Sequence, residues 1–167
     1  MAAAAPAKIN LFKYEWACYS NFYAAPVKLD GVEYPSVEHA YQAAKTLDPK
    51  KRIPFQSITL TSGKAKRMGR GFREGRGLRP DWRQVNVGIM RDLLMQKFAH
   101  SLLKRKLLSS LQAELEEGNY WHDTFWGVCY GKIDGRTCDL GEHEPIGENY
   151  LGKLLMEVRA HYATMTE

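Results

Sequence analysis

A chain of 167 residues with 44% hydrophobic and 26% charged residues and a formal net charge of +5 is long enough to bury one core without metal or disulfide staples. No apolar run approaches the roughly 20 residues that cross a bilayer. Three cysteines, Cys18, Cys129 and Cys138, without a C-x-x-C pair, argue against both a disulfide framework and a four-cysteine zinc site, and the expected setting is a reducing cytoplasm, away from membranes.

In chain order, residues 1–8 read as a flexible tail and residues 9–163 as one domain. Ile9–Phe12, Val27–Leu29 and Val32–Tyr34 favour extended structure, and Asp30-Gly31 between the last two predicts a hairpin, so a small sheet should open the fold. A helix is expected from Ser36, whose hydroxyl suits a cap, and Pro49 and Pro54 punctuate the connection after it. Ser62-Gly63 precedes a short basic helix to Gly69, and a Gly/Arg loop then runs to Pro80. Val85, Ile89, Leu93 and Phe98, with Met90 and Leu94, mark an amphipathic helix over 82–98. Ser101 is placed as the cap of a helix through Leu111, striped by Leu103, Leu107, Leu108 and Leu111. Residues 119–148 return to aromatics, glycines and turns, and a last helix from Asn149 to Tyr162 buries Leu151, Leu154, Leu155 and Val158.

Two stretches carry candidate chemistry. On the helix from Ser36, Glu38, Tyr41 or Gln42, and Lys45 fall on one side, so a carboxylate and an ammonium face a common neighbour. Such a pair is commonly a solvated face; here Tyr19-Ser20-Asn21-Phe22-Tyr23 upstream adds hydroxyls, an amide and ring faces suited to a polar, planar ligand. The second stretch carries Lys64, Lys66, Arg67, Arg70, Arg73, Arg76 and Arg79 against the single acid Glu74, among glycines 69, 71, 75 and 77. It reads as a phosphate-holding loop, with neither a Walker nor a dinucleotide fingerprint. His39 and His122 lack zinc-ligand spacing, as does Glu142-His143-Glu144, so neither a metal nor a cofactor is expected.

Separated motifs then fall in one order: Tyr19-Ser20-Asn21-Phe22, Ser36-Val37-Glu38-His39, Tyr41-Gln42-Ala43-Ala44-Lys45, Met68-Gly69-Arg70, Leu78-Arg79-Pro80-Asp81-Trp82, Met90-Arg91 with Lys97-Phe98, Asp123-Thr124-Phe125-Trp126-Gly127, and Gly147-Glu148-Asn149-Tyr150-Leu151-Gly152 with Leu155-Met156-Glu157-Val158-Arg159. Over residues 10 to 160 this order resembles the NADAR family, the YbiA-like N-glycosidases. The resemblance implies a single compact, helix-rich α+β domain with a small N-terminal sheet, cleaving N-glycosidic bonds of ribose phosphates. Two substrate classes follow from it: phosphoribosylamino-pyrimidine intermediates of riboflavin synthesis, and ADP-ribose attached to guanine, with ADP-ribosylated DNA as a further partner.

Residue by residue, the resemblance places Glu38, Trp82 and Asp123 at active-site positions and Lys45 at the lysine of the Y-Q-A-x-K segment. The expected catalytic set is Glu38, Lys45 and Asp123; Asn21, Phe22, Gln42, Arg70, Trp82, Trp126, Gly127 and Asn149 are the expected substrate-binding set. Cleaving a ribosyl C–N bond builds positive charge on the sugar, which calls for a carboxylate near C1 and a proton for the departing nitrogen. Lys45 opens a second route through a Schiff base to C1. Blander roles stand beside these: Asp123 as a turn residue or cap, Trp82 and Trp126 as core, Lys45 as a partner of phosphate or of Glu38. Arg79 is a second candidate for the phosphate. The chain departs from the family pattern at Val128-Cys129 and in an insertion before Gly147. A module that binds ADP-ribose without cleaving it is the rival reading, and a nucleic-acid-binding protein the third.

Overall fold

The computed structural model describes residues 7–165, so most of the expected N-terminal tail lies outside the described residues; strand β1, Lys8–Ile9, already begins within it. The chain continues through a 3-10 turn at Tyr14–Tyr19, strands β2 (Val27–Leu29) and β3 (Val32–Tyr34), and helices α1 (Val37–Ala43) and α2 (Pro49–Arg52). A second 3-10 turn, Ile53–Gln56, leads to helices α3 (Ser62–Gly69), α4 (Trp82–Ala99) and α5 (Ser101–Leu108). Short strands β4 (Glu114–Leu115), β5 (Gly118–Asn119), β6 (Val128–Cys129), β7 (Lys132–Ile133) and β8 (Arg136–Thr137) precede helix α6 (Tyr150–Thr164). The fold is α+β. Among the described residues no helix is long and apolar enough to cross a membrane.

The residues group into two compact units, one comprising the chain up to Ser20 and from Ser101 onward, the other Asn21–His100. In the second unit, Asp30 and Gly31 adopt the positive φ of a tight hairpin turn, and β2 pairs antiparallel to β3 in the register Val27↔Tyr34 and Leu29↔Val32. Helix α1 starts at a true cap: Ser36 Oγ accepts from the His39 amide. All seven α1 residues are buried, and Ala40, Ala43 and Ala44 leave room for α1 to lie against α3 and α4. The long helix α4 buries Met90, Leu93, Leu94, Lys97 and Phe98. Helix α2 arises where only a connection was expected: Asp48 caps the Lys50 amide and Pro49 fills the first helical position.

In the other unit β1 runs parallel to β4, so the expected opening sheet is instead two separate pairings, each in a different unit. Helix α6 buries Leu151, Leu154, Leu155 and Val158 as its spacing predicts. Helix α5 stops at Leu108, earlier than expected. Leu111 adopts positive φ and is 60% exposed, so it leaves the apolar stripe that Leu107 anchors. Ser101 is the first residue of α5, one position beyond the cap assigned to it. Tyr19, completely buried, donates its hydroxyl to the Lys106 carbonyl and ties the 3-10 turn to α5.

Candidate active site

A helix buried on every side is ordinarily apolar, because taking a charge out of water costs several kcal/mol unless it is compensated. Helix α1 breaks that pattern with Glu38, His39 and Gln42, which are only 5%, 3% and 4% exposed. His39 is structural: its Nε2–H donates to the Leu60 carbonyl (2.6 Å), and its Nδ1 therefore accepts from the Ser36 hydroxyl (2.7 Å). Glu38 and Gln42 form a unit of their own, one helical turn apart, with Gln42 Nε2 donating to Glu38 Oε1 at 2.8 Å. The Glu38 amide also donates to the Asn21 carbonyl at 3.1 Å, which fixes the aromatic-rich segment beside the start of α1.

Two buried carboxamide oxygens, Asn21 Oδ1 and Gln42 Oε1, have no hydrogen-bond partner among the described residues. Gln42 Oε1 belongs to the carboxamide paired with Glu38, while the Asn21 carboxamide donates to Met90 Sδ at 3.5 Å and its backbone carbonyl accepts from the Glu38 amide. Unsatisfied buried acceptors cost about 1–3 kcal/mol each and favour a ligand rich in donors, such as the hydroxyls of a ribose. Gly69, buried at the end of α3, makes this arrangement possible, since a Cβ there would collide with the Gln42 carboxamide. Gly69→Ala should therefore withdraw Gln42 from Glu38 and lower kcat/KM roughly 10- to 100-fold, the worth of one hydrogen bond to a charged group, about 1.5–3 kcal/mol. Steady-state kinetics checks this, with circular dichroism to establish that the helices persist.

Lys45 follows the end of α1 and is half-buried. Its Nζ donates to the Gly69 carbonyl at 3.4 Å and stands 6.0 Å from the centres of both the Tyr41 and Trp82 rings. Burial pushes the Lys45 ammonium below the ordinary lysine value; the Glu38 carboxylate opposes this, and Lys66 and Arg70 reinforce it. Trp82, half-buried at the start of α4, leans on Tyr41 with centroids 5.0 Å apart and planes inclined at 53°. It also borders a cleft of about 410 Å³ lined by Leu78, Arg79, Pro80 and Arg83.

The basic loop contributes less free charge than its composition promises. Arg79 forks onto Asp81, with Nε to Oδ1 at 2.7 Å and Nη2 to Oδ2 at 2.9 Å, which holds the Asp81 carboxyl below its usual range. Its guanidinium is thereby engaged, and the candidate phosphate contact passes to Arg70, exposed at the end of α3. The Arg79 amide donates to the Lys45 carbonyl at 2.7 Å, so loop and lysine share a backbone link. Phe22 is 45% exposed with the Lys66 ammonium 5.9 Å from its ring centre.

Glu38, Gln42, Lys45, Asn21, Phe22, Arg70 and Trp82 thus all belong to the unit Asn21–His100, whereas Asp123, Trp126, Gly127 and Asn149 belong to the other. There Asp123 forms a turn. Its Oδ1 accepts from the Trp126 amide (3.0 Å), while its backbone exchanges hydrogen bonds with the Asn119 carboxamide at 3.0 and 2.8 Å. Gly127 is buried where a side chain would run into the Glu117 carbonyl. Trp126 meets Phe125 edge to face at 5.0 Å. Asn149 is engaged at both ends of its carboxamide: Nδ2 donates to the Leu115 carbonyl (2.8 Å) and Oδ1 accepts from the Glu117 amide (3.2 Å). It braces backbone at the start of α6. Lys97, 1% exposed on α4 and 5.6 Å from the Tyr23 ring centre, is a buried cation to which the sequence reading gave no role; its position within the Leu93, Leu94 and Phe98 stripe was the available signal.

The NADAR domain family model matches residues 11–162. The chain is 36% identical over 150 residues to the N-glycosidase YbiA of Escherichia coli (strain K12), covering 89% of this chain and 83% of that protein. It is 33% identical over 146 residues to the N-glycosidase Npun_R5314 of Nostoc punctiforme, with 86% and 84% covered. It is also 32% identical over 158 residues to the chloroplastic riboflavin biosynthesis protein PYRR of Zea mays, covering 87% of this chain and 23% of that longer protein. The NMR structure of the E. coli protein YbiA superimposes with a TM-score of 0.73 at 34% identity, covering 98% of this chain and 89% of that one.

Proposed function

Because the chain belongs to the NADAR domain family and is a hydrolase acting on N-glycosyl bonds, we propose that its substrate is a phosphoribosylamino-pyrimidine of the riboflavin route, cleaved by Glu38 and Lys45. The observation that carries this reading is the pairing, on and just after a wholly buried helix, of a carboxylate with a lysine whose ammonium is destabilised by burial. A purely binding cleft requires neither group. The names of the relatives from Zea mays and Vibrio vulnificus, both riboflavin biosynthesis proteins, support the pyrimidine.

The chemistry runs through the sugar's open form. An N-glycosylamine opens to an imine at C1, and the neutral Lys45 amine adds there, forming the Nζ–C1 bond. Glu38 carries the two protons lost by Nζ, one after the other, to the former imine nitrogen: the first gives the neutral aminal, and with the second the C1–N bond breaks, the aminopyrimidine leaves neutral and Lys45 remains as the imine. Water then adds to the Lys45 imine, releasing ribose 5-phosphate as the aldehyde and restoring the free amine. Trp82 offers a ring face to the heterocycle, a contact worth about 1–3 kcal/mol. Asn21 and Gln42 receive ribose hydroxyls, and Arg70 receives the phosphate. Phe22 borders the ligand within the unit Asn21–His100; in the other unit Asp123, with Gly127, shapes the turn that carries Trp126.

The dense basic stretch from Lys64 to Arg79 favours a second substrate, ADP-ribose attached to guanine in DNA, whose extra phosphate it would attract. Product analysis by mass spectrometry separates the two. Ribose 5-phosphate and free aminopyrimidine are the expected products from the phosphoribosylamino-pyrimidine, whereas release of ADP-ribose from modified DNA alone would transfer the assignment to the second substrate. Turnover of neither by folded protein would leave an ADP-ribose-binding module.

A further inference from the structure

From Val128 the chain builds a small loop system. Cys129 in β6 pairs with β5 at Asn119 and exchanges backbone hydrogen bonds with Ile146 at 2.8 and 3.0 Å. The β7–β8 hairpin turns at Asp134-Gly135, both at positive φ, and returns the chain so that the Cys138 amide donates to the Gly131 carbonyl at 2.9 Å. The Gly131 amide in turn donates to the His143 carbonyl at 3.2 Å. Three separated stretches and His122 thereby converge, and the ligand atoms of His122, Cys129, Cys138 and His143 all lie within 4.8 Å of one another.

We propose that these four side chains hold one zinc ion in a closed Cys2His2 site that fastens the 128–146 segment. Tetrahedral zinc with Zn–S of about 2.3 Å and Zn–N of about 2.0–2.1 Å sets sulfur–sulfur edges of about 3.8 Å and sulfur–nitrogen edges of about 3.5 Å. The Cys129 and Cys138 sulfurs are 3.5 Å apart, and Cys129 Sγ lies 3.7 Å from His143 Nε2. His143 Nδ1 donates to the Glu144 carbonyl at 2.7 Å, which fixes the tautomer that leaves the Nε2 lone pair for a metal. The His122 and His143 ring centres are 6.3 Å apart, a separation that two imidazoles sharing one ion can adopt. Two thiolates with two imidazoles select zinc over magnesium or calcium, and four protein ligands leave no open position for catalysis. Sequence spacing excluded a metal because the ligands are far apart along the chain; the hairpin and the β5–β6 pairing bring them together.

The rival occupant of the same geometry is a Cys129–Cys138 disulfide. Full-length protein purified under reducing conditions should carry about one zinc per chain by plasma mass spectrometry. After removal of that zinc by a chelator, titration with Co²⁺ should give thiolate-to-cobalt charge transfer and intense tetrahedral d–d bands, saturating at one equivalent. Cys138→Ser and His143→Ala should weaken Co²⁺ binding at least about 10-fold, while Cys18→Ser, buried elsewhere, should leave the spectrum intact. Bound zinc should also protect two thiols of the wild type from alkylation, a reading that needs no variant to fold. Wild-type protein that binds neither zinc nor Co²⁺ through thiolate, or that retains a Cys129–Cys138 disulfide after mild reduction, would overturn the assignment.

Discussion

Lys45→Ala should lose about 10³-fold or more in kcat, and the substrate-dependent adduct that borohydride is expected to trap in the wild type should disappear with it. Both follow from one group acting as nucleophile. Lys45→Arg should fail equally, because it keeps a charge near the ring faces of Tyr41 and Trp82 but supplies no neutral amine. The pH profile gives an independent reading. Only the unprotonated amine attacks, so kcat/KM rises with pH through the lysine's titration, and burial places that rise below 10.5. The same shift has a stability consequence of definite sign. The unfolded chain holds its Lys45 proton more tightly, so stability grows with pH from the lowered folded value up to 10.5 and is level above it. Borohydride that labels Lys45→Ala as strongly as the wild type, or a Lys45→Ala variant with normal turnover, would remove the lysine from the chemistry and leave Glu38 activating water directly.

Glu38→Gln is the second large effect. The substitution keeps an oxygen for Gln42 Nε2 to donate to but removes the base, and kcat should drop about 10³-fold with KM changed less than about threefold. It also moves the remaining pH profile in a determined direction. The Glu38 carboxylate holds the Lys45 value up against burial, so neutralising it shifts the residual midpoint to lower pH. A bystander carboxylate on a solvated helical face would produce neither change. Wild-type kcat in a folded Glu38→Gln protein, or a midpoint that moves upward, would exclude Glu38 from proton transfer.

How much of this was legible beforehand depended on whether neighbours in space were neighbours in sequence. The Ser36 cap, the Asp30-Gly31 hairpin and the apolar spacing of α4 and α6 are local signals, and the structure follows them. The juxtaposition of Glu38 and Gln42 is legible for the same reason, since one helical register relates them, whereas Lys45, expected on the same helix, lies just beyond its end at Ala43. Residues whose roles depend on distant backbone were not. Asn149 reaches residues 115 and 117 across more than thirty positions, and nothing near it in the chain distinguishes that brace from a binding amide. Arg79 read as a phosphate ligand because its charge was visible while its fork onto Asp81, two residues on, depended on the turn between them. The convergence of Cys129, Cys138, His122 and His143 was hidden behind spacings that match no familiar ligand pattern.

The complete burial of α1 bears on how variants at this site should be measured. Amide hydrogens on a helix with no wet face exchange only when the surrounding structure opens, so α1 should be among the slowest-exchanging segments of its unit. Glu38, the proposed base, therefore sits on the part of the unit that yields last, and preorganisation and persistence of the fold become the same property there. A substitution on α1 changes both the fraction of molecules folded and the turnover of each folded molecule, and rates normalised to folded protein are what separate the two.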